Sequence, residues 1–209
     1  MAPIPSSSLP GHKRLHDRAV GALDRCQESQ SVDFKESASW DALKWRIIKT
    51  VLGMGNLRDG GVIVVGSSQR DETWDLAGIS PEDLGTYDVD TVTDVANSYA
   101  SPHAEVDVVL LEYRNGRKFL VIQVREFVDT PLVCRKNGPS GTGLQEGYIY
   151  VWPPGVAHTT RITNAAQMHD LLELAAEKRA RRILEVSRRV GLVPSHSSAK
   201  EFDDELGGL

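Results

Sequence analysis

WDALKWRIIKTVLGMG at residues 40–55, followed by NLRDGGVIVVG at residues 56–66, decides the fold. Trp40, Leu43, Ile47, Ile48, Val51 and Leu52 recur at helical spacing and make one apolar face, with Asp41, Lys44, Arg46 and Lys49 off it. Gly53 and Gly55 weaken the end of that helix, because glycine loses more backbone freedom on ordering than other residues. Asn56 to Gly61 reads as a turn with positive φ at its end. Val62-Ile63-Val64-Val65 is a continuous β-branched run, which predicts a short strand buried on both faces. A helix feeding a buried central strand is a scaffold, and polar groups at its edges are where chemistry sits.

Working outward, Val32 and Phe34 alternate with Asp33 and Lys35, which predicts a strand with Asp33 and Lys35 on one face. Ser37 or Ser39 is placed to cap the organising helix. Residues 13–26 carry Leu15, Val20, Ala22 and Leu23 among charges and predict a short helix. Beyond Gly66, residues 67–72 read as a polar loop. Val89, Val92, Ala96 and Tyr99 predict a helix capped by Asp88 that stops before Pro102. Val106–Tyr113 and Lys118–Val124 flank Arg114-Asn115-Gly116-Arg117, a strong hairpin signal. Further short strands are expected around 132–134 and 148–152, with a glycine-rich loop at 137–147 between them. Thr163 or Asn164 caps a long final helix with a basic end, including Arg181, Arg182, Arg188 and Arg189. The order predicts an α/β (α+β) single mixed-sheet domain with flanking helices over 21–190. Residues 1–20 are expected as a tail with a short helix, and 191–209 as a disordered acidic tail.

Composition narrows the function classes. With 40% hydrophobic and 25% charged residues, the 209-residue chain fits a soluble globular domain. No apolar run approaches the ~20 residues of a transmembrane helix, and the start lacks the apolar core of a secretory signal. A cytoplasmic location without membrane contact is the expectation. Cys26 and Cys134 allow at most one disulfide and are expected as free thiols. The net charge of −5 argues against a broad nucleic-acid coat and leaves room for a local basic groove. The glycines at 53, 55, 60 and 61 follow a helix and precede a strand, the reverse of a dinucleotide loop. There is no Gly-Lys-Ser/Thr of a P-loop. The six histidines show no ligand spacing and no Cys-x-x-Cys is present, which speaks against structural zinc. Trp40, Trp74 and Trp152 read as packing residues.

Glu28-Ser29, Asp33-Phe34-Lys35, the helix, Asn56 with Gly60-Gly61, and Val62 to Gly66 form an ordered set that resembles the Schlafen-type AlbA-like (AlbA-2) domain. The hairpin, Pro131 and Tyr148-Ile149 continue the same order, so the resemblance covers roughly residues 26–160. It departs from the family pattern in several places. Asp stands at 33 for Glu, one extra residue lies between Asn56 and Gly60, and Tyr148-Ile149-Tyr150 replaces Tyr-Ile-Arg. The resemblance implies association with DNA or RNA. It also implies a metal-dependent endoribonuclease as an alternative, since some members cleave structured RNA with three carboxylates around a divalent ion. Glu28 and Asp33 match the first two. The third position holds Ser68-Gln69, with Asp71 nearby but out of register. Mg²⁺ or Mn²⁺ is the ion such a site takes, because hard cations select carboxylate oxygens.

The candidate catalytic set is therefore Glu28, Asp33 and Lys35, and the candidate metal ligands are Glu28, Asp33 and Asp71. The candidate phosphate contacts are Lys35, Arg70, Arg114, Arg117 and Lys118. Each has a plainer reading. Asp33, Lys35 and Glu36 suit the solvent face of an edge strand, and Arg114, Arg117 and Lys118 suit a solvated turn, as do Arg135 and Lys136. The basic end of the last helix suits the helix dipole. The third reading of the chain is a non-catalytic protein-interaction module in a regulatory or defence assembly, with a protein partner or a second copy of itself.

Overall fold

The computed structural model describes residues 10–70, 73–153, 156 and 158–192. In chain order its elements are α1 (Pro10–Arg25), β1 (Val32–Lys35), α2 (Trp40–Gly55), β2 (Gly61–Val65), β3 (Ser68–Arg70), β4 (Thr73–Asp75), α3 (Pro81–Leu84) and α4 (Val89–Tyr99). There follow β5 (Ala100–Ser101), β6 (Val106–Tyr113), β7 (Arg117–Val124), β8 (Val133–Cys134), β9 (Tyr150–Val151), β10 (Thr160–Arg161) and α5 (Ala165–Arg189). The fold is α+β. Its main sheet has the order β1-β2-β7-β6, with β1 parallel to β2 and the other pairs antiparallel.

Every residue of β2 is buried, as its β-branched run requires. Alternation along the strand divides the core in two. Val62 and Val64 face α1, where Ala19, Ala22 and Leu23 pack with Phe34, Leu111, Phe119 and Val121. Ile63 and Val65 face α2 and α4, where Leu43, Ile47, Val51, Val92 and Ala96 close the larger core. The sheet is thus covered on both faces by helices.

Several local details differ from the sequence expectation. The helix α2 runs through Gly53 to Gly55 instead of fading there. Both glycines serve close approach: a Cβ at Gly53 would lie 2.5 Å from Thr159 Cγ2, and one at Gly55 2.3 Å from Leu132 Cδ1. At the other end Ser39 is the N-cap by position, but its side chain makes no cap bond; Trp40 N–H donates to Thr86 Oγ1 at 2.8 Å instead. Ser37 accepts from Ser80 N–H at 2.9 Å and joins Asp83. The stretch after Gly66 forms a small hairpin, β3 with β4, in which Gln69 pairs with Trp74. The β6–β7 connection is a three-residue loop, since Tyr113 pairs with Arg117, and Gly116 takes φ +70°. The strand β10 carried no periodic signal because it is two residues long. Cys26 and Cys134 are free thiols. Among the described residues no helix is long and apolar enough to cross a membrane.

The turn after α2 combines strain and anchorage. Asp59 and Gly60 both adopt left-handed φ, at 70° and 61°. A Cβ on Gly60 would meet Val124 O at 2.1 Å, so only glycine fits. Asn56, buried at the C-terminus of α2, accepts from Leu132 N–H at 2.7 Å and donates to Leu132 O and Tyr150 O, both at 2.9 Å. The Asn56→Ala variant leaves those three backbone groups buried without partners. It is expected to lose about 3 kcal/mol or more of folding stability in urea denaturation. A loss under about 1 kcal/mol would show that the clamp is dispensable.

Candidate nucleic-acid interface

The parallel register sets Asp33 beside Ile63 and Lys35 beside Val65, which turns both polar side chains toward α2. They do not line a solvent face. Asp33 is 3% exposed and Lys35 9% exposed. The Lys35 ammonium bonds both carboxylate oxygens of Asp33, and Thr50 Oγ1 on α2 donates to Asp33 Oδ2 at 3.3 Å. A buried carboxylate is stable only when paired and hydrogen-bonded, and here every partner comes from β1 or α2.

Glu28 stands in the turn between α1 and β1. Its Oε1 accepts from Phe34 N–H at 3.1 Å. Burial pushes its carboxyl up from the ordinary value, against the Phe34 N–H, and the nearby Asp33 charge adds to the rise. Glu28 is not among the residues lining the cleft that Asp33 and Lys35 border.

That cleft is an open hollow of about 280 Å³ walled by Asp33, Lys35, Arg46, Lys49, Thr50, Thr142, Trp152, His158 and Thr159. A second hollow shares Lys49, His158 and Thr159 with it and extends along Tyr148, Tyr150 and Arg161. Together they form a groove bearing Arg46, Lys49 and Arg161. The α2 positions 46, 49, 50 and 53 follow helical spacing, so Arg46, Lys49 and Thr50 sit on one face beside Gly53. Gly53 lets Thr159 lie against the helix. Thr159 Oγ1, buried, finds no hydrogen-bond partner among the described residues. The Lys49 ammonium lies 5.6 Å from the Tyr150 ring centroid. Arg161 lies 5.1 Å from the Tyr148 ring and donates to its hydroxyl at 2.9 Å. Trp152 is buried, its Nε1–H donating to Val156 O at 2.7 Å, in keeping with a packing role.

Arg114, Arg117 and Lys118 are not among the residues that line this groove. Arg114 pairs with Asp24 of α1 at 2.8 Å. Arg117 shares a face with Phe119, the α1 side of the sheet, and donates to Leu76 O at 2.7 Å. Lys118 is exposed on β7 and Arg70 closes β3. Asp71 lies outside the described residues. Lys136 rests 4.4 Å from the Tyr99 ring. The sequence reading passed over Arg46, Lys49, His158 and Arg161. Their only signal was the polar side of α2, where Arg46 and Lys49 stand off the apolar face.

Among the described residues, those present do not fit the divalent ion that the resemblance implies. An ammonium group already fills the cation position on Asp33, bonding both of its carboxylate oxygens. Among the described residues no three His, Cys, Asp or Glu side chains gather as a ligand set.

Two outcomes follow from the buried charges. Asp33→Ala leaves Lys35 buried and unpaired and is expected to cost about 3–5 kcal/mol, whereas the Asp33→Leu, Lys35→Met double variant recovers most of that loss. Equal losses for both in chemical denaturation would show that pairing is not what the site requires. For Glu28, the folded state holds its proton more tightly than the unfolded chain does. Its contribution to stability therefore falls as pH rises from the unfolded value, 4.5, through the raised folded value. Glu28→Gln is expected to be relatively more stable than the parent above that window and to lose that advantage below it; parallel pH curves would contradict this.

The comparisons with known proteins come to bear on this arrangement. No curated protein matches the chain. The crystal structure of the DIP2311 protein from Corynebacterium diphtheriae is similar over 72% of this chain, with 17% identity and a TM-score of 0.47; the chain spans about a quarter of that protein, 26% of its length. The solution structure of the N-terminal domain of a protein related to the ATP-dependent DNA helicase RecG, from Nitrosomonas europaea, is 20% identical with a TM-score of 0.41, covering 72% of this chain and 90% of that one. The family model for Schlafen, AlbA_2 matches residues 28–151, from Glu28 through the buried Asp33–Lys35 pair to the end of β9. That span is more than half of the chain, and the protein belongs to the Schlafen AlbA_2 family.

Proposed function

We propose that the protein binds nucleic acid by its phosphate backbone, along the groove bordered by α2 and the β9–β10 ribbon. Family membership supports a nucleic-acid role. The observation that carries the reading is the grouping of Arg46, Lys49 and Arg161 along two adjoining hollows on a chain whose net charge is −5. A local cationic groove on an acidic protein attracts phosphate where the groove lies and repels it elsewhere. Thr142 and Thr159 add hydroxyls, and phosphate contacts of this kind position a strand without reading its bases. Lys35 contributes less direct charge, because Asp33 neutralises it. The reading is one of binding: cleavage through a divalent ion asks for an open carboxylate at 33, where the Lys35 ammonium sits instead.

The test is a salt titration of binding to single-stranded RNA, single-stranded DNA and duplex DNA. Affinity is expected to fall steeply with salt. Lys49→Ala or Arg46→Ala is expected to lower the slope of log K against log salt by about 0.7–0.9 per contact removed. Arg114→Ala, on the α1 side, is expected to leave the slope unchanged. Absence of binding at low salt would overturn the proposal and leave a protein-interaction module. Slopes that respond to Arg114 and not to Lys49 would move the binding surface to the hairpin.

A further inference from the structure

The cationic groove runs past Arg161 into a hollow of another character. This third hollow, of about 370 Å³, shares Tyr148, Arg161 and Thr163 with the second. Its remaining walls include Ile149, just before β9, Ile162, just after β10, and Met168 in the first turns of α5. Tyr148, Ile149, Ile162 and Met168 are all half-buried, so each keeps part of its apolar surface open. The Tyr148 backbone is fixed on both sides: its N–H donates to Gln145 O at 3.3 Å and its carbonyl accepts from Cys134 N–H at 2.8 Å. Its ring is held as well, with the Arg161 guanidinium 5.1 Å from the centroid and bonded to the hydroxyl at 2.9 Å. Ile162 N–H donates to Ile149 O at 2.9 Å and closes the ribbon beneath. The result is an aromatic platform with apolar neighbours, placed at the end of a row of cations.

We propose that this hollow seats an unpaired nucleobase, so that the protein takes single-stranded nucleic acid with its phosphates on Arg46, Lys49 and Arg161 and a base against Tyr148. The inference rests on the phosphate reading of the groove and narrows it to one class of strand. Continuity with the groove selects the occupant. A nucleic-acid strand alternates a charged phosphate with a planar base whose faces are apolar, and this surface sets the same two chemistries side by side, with Arg161 bordering both. Thr159 Oγ1, buried and without a hydrogen-bond partner among the described residues, gives a phosphate oxygen a neutral donor in the hollow that Lys49 also lines. In a duplex each base is stacked on its neighbours and paired, so its faces are closed to a protein ring; in a single strand they are open. Stacking on an aromatic ring accepts any base, since every base has a π-face. Ile149 and Ile162 carry no hydrogen-bonding side-chain group with which to read a base edge. The hollow therefore holds a base without selecting its sequence.

The test is fluorescence anisotropy of the full chain with three probes of equal length: a single strand bearing bases, the same phosphate backbone made abasic throughout, and a duplex. The base-bearing single strand is expected to bind about 5- to 150-fold more tightly than the abasic strand, the range that one stacked base supplies. It is also expected to bind more tightly than the duplex. Tyr148→Ala is expected to erase the difference between base-bearing and abasic strands and to leave the salt slope unchanged, because Arg161 keeps its charge. Tyr148→Phe, which keeps the ring, is expected to preserve the difference. The abasic comparison uses the unaltered protein, so it decides even where Tyr148→Ala fails to fold. Equal affinity for base-bearing and abasic strands, with a steep salt slope for both, would overturn the base site and leave the phosphate groove standing. A preference for the duplex, or a difference that survives in folded Tyr148→Ala, would also overturn it. No binding of any probe at low salt would remove the groove reading and this inference together.

Discussion

The rest of the fold depends on one carboxamide. Asn56 ends α2 and saturates three backbone groups that belong to segments 76 and 94 residues further along the chain. Neither Leu132 nor Tyr150 lies in the main sheet, and β8 and β9 are only two residues each. Such short strands contribute too few ladder bonds to hold themselves in place. The asparagine side chain supplies what the ladders lack, and it does so at the helix end from which the strained turn launches β2.

The groove follows from that anchorage. With Tyr150 fixed to the end of α2, Trp152 and Thr159 line the same hollow as Arg46, Lys49 and Thr50, and Thr159 fills the space that Gly53 leaves open. The polar side of α2 thereby becomes one wall and the β9–β10 ribbon the other. Gln30 ties the far end, donating to Trp152 O at 3.0 Å. A groove built this way is lined by side chains from α2, β1 and a segment a hundred residues away, so its cations are neighbours in space and not in sequence.

Within it, the Asp33–Lys35 pair has an energetic character unlike that of the surface arginines. Burial makes each partner costly without the other, while exposed ion pairs contribute little. The alternation of β1 fixed both on one face, and the parallel register turned that face inward. Charge is therefore consumed on the strand and left available on the helix. This explains why Arg46 and Lys49, and not Lys35, give the groove its net positive character.

The main elements were legible in the sequence because their signals are local. The period of α2, the β-branched run of β2, the Asp88 and Asn164 caps and the Asn-Gly hairpin each rest on residues within one turn or one ladder of each other. The ordered set from Glu28 to Gly66 was enough to place the chain near its family. What the sequence could not disclose was long-range: that Asn56 reaches Leu132 and Tyr150, that Gly53 is a contact point for Thr159, and that Asp33 and Lys35 are buried on each other instead of facing water. Alternation says which residues share a face, but which face is covered depends on the helix that packs there. The sequence by itself determined the main elements and the placing of Asp33 and Lys35 on one side of a strand. Only the tertiary structure decided that Arg46, Lys49 and Arg161 share a groove, because that requires two distant segments to be pinned to the same helix by one buried side chain.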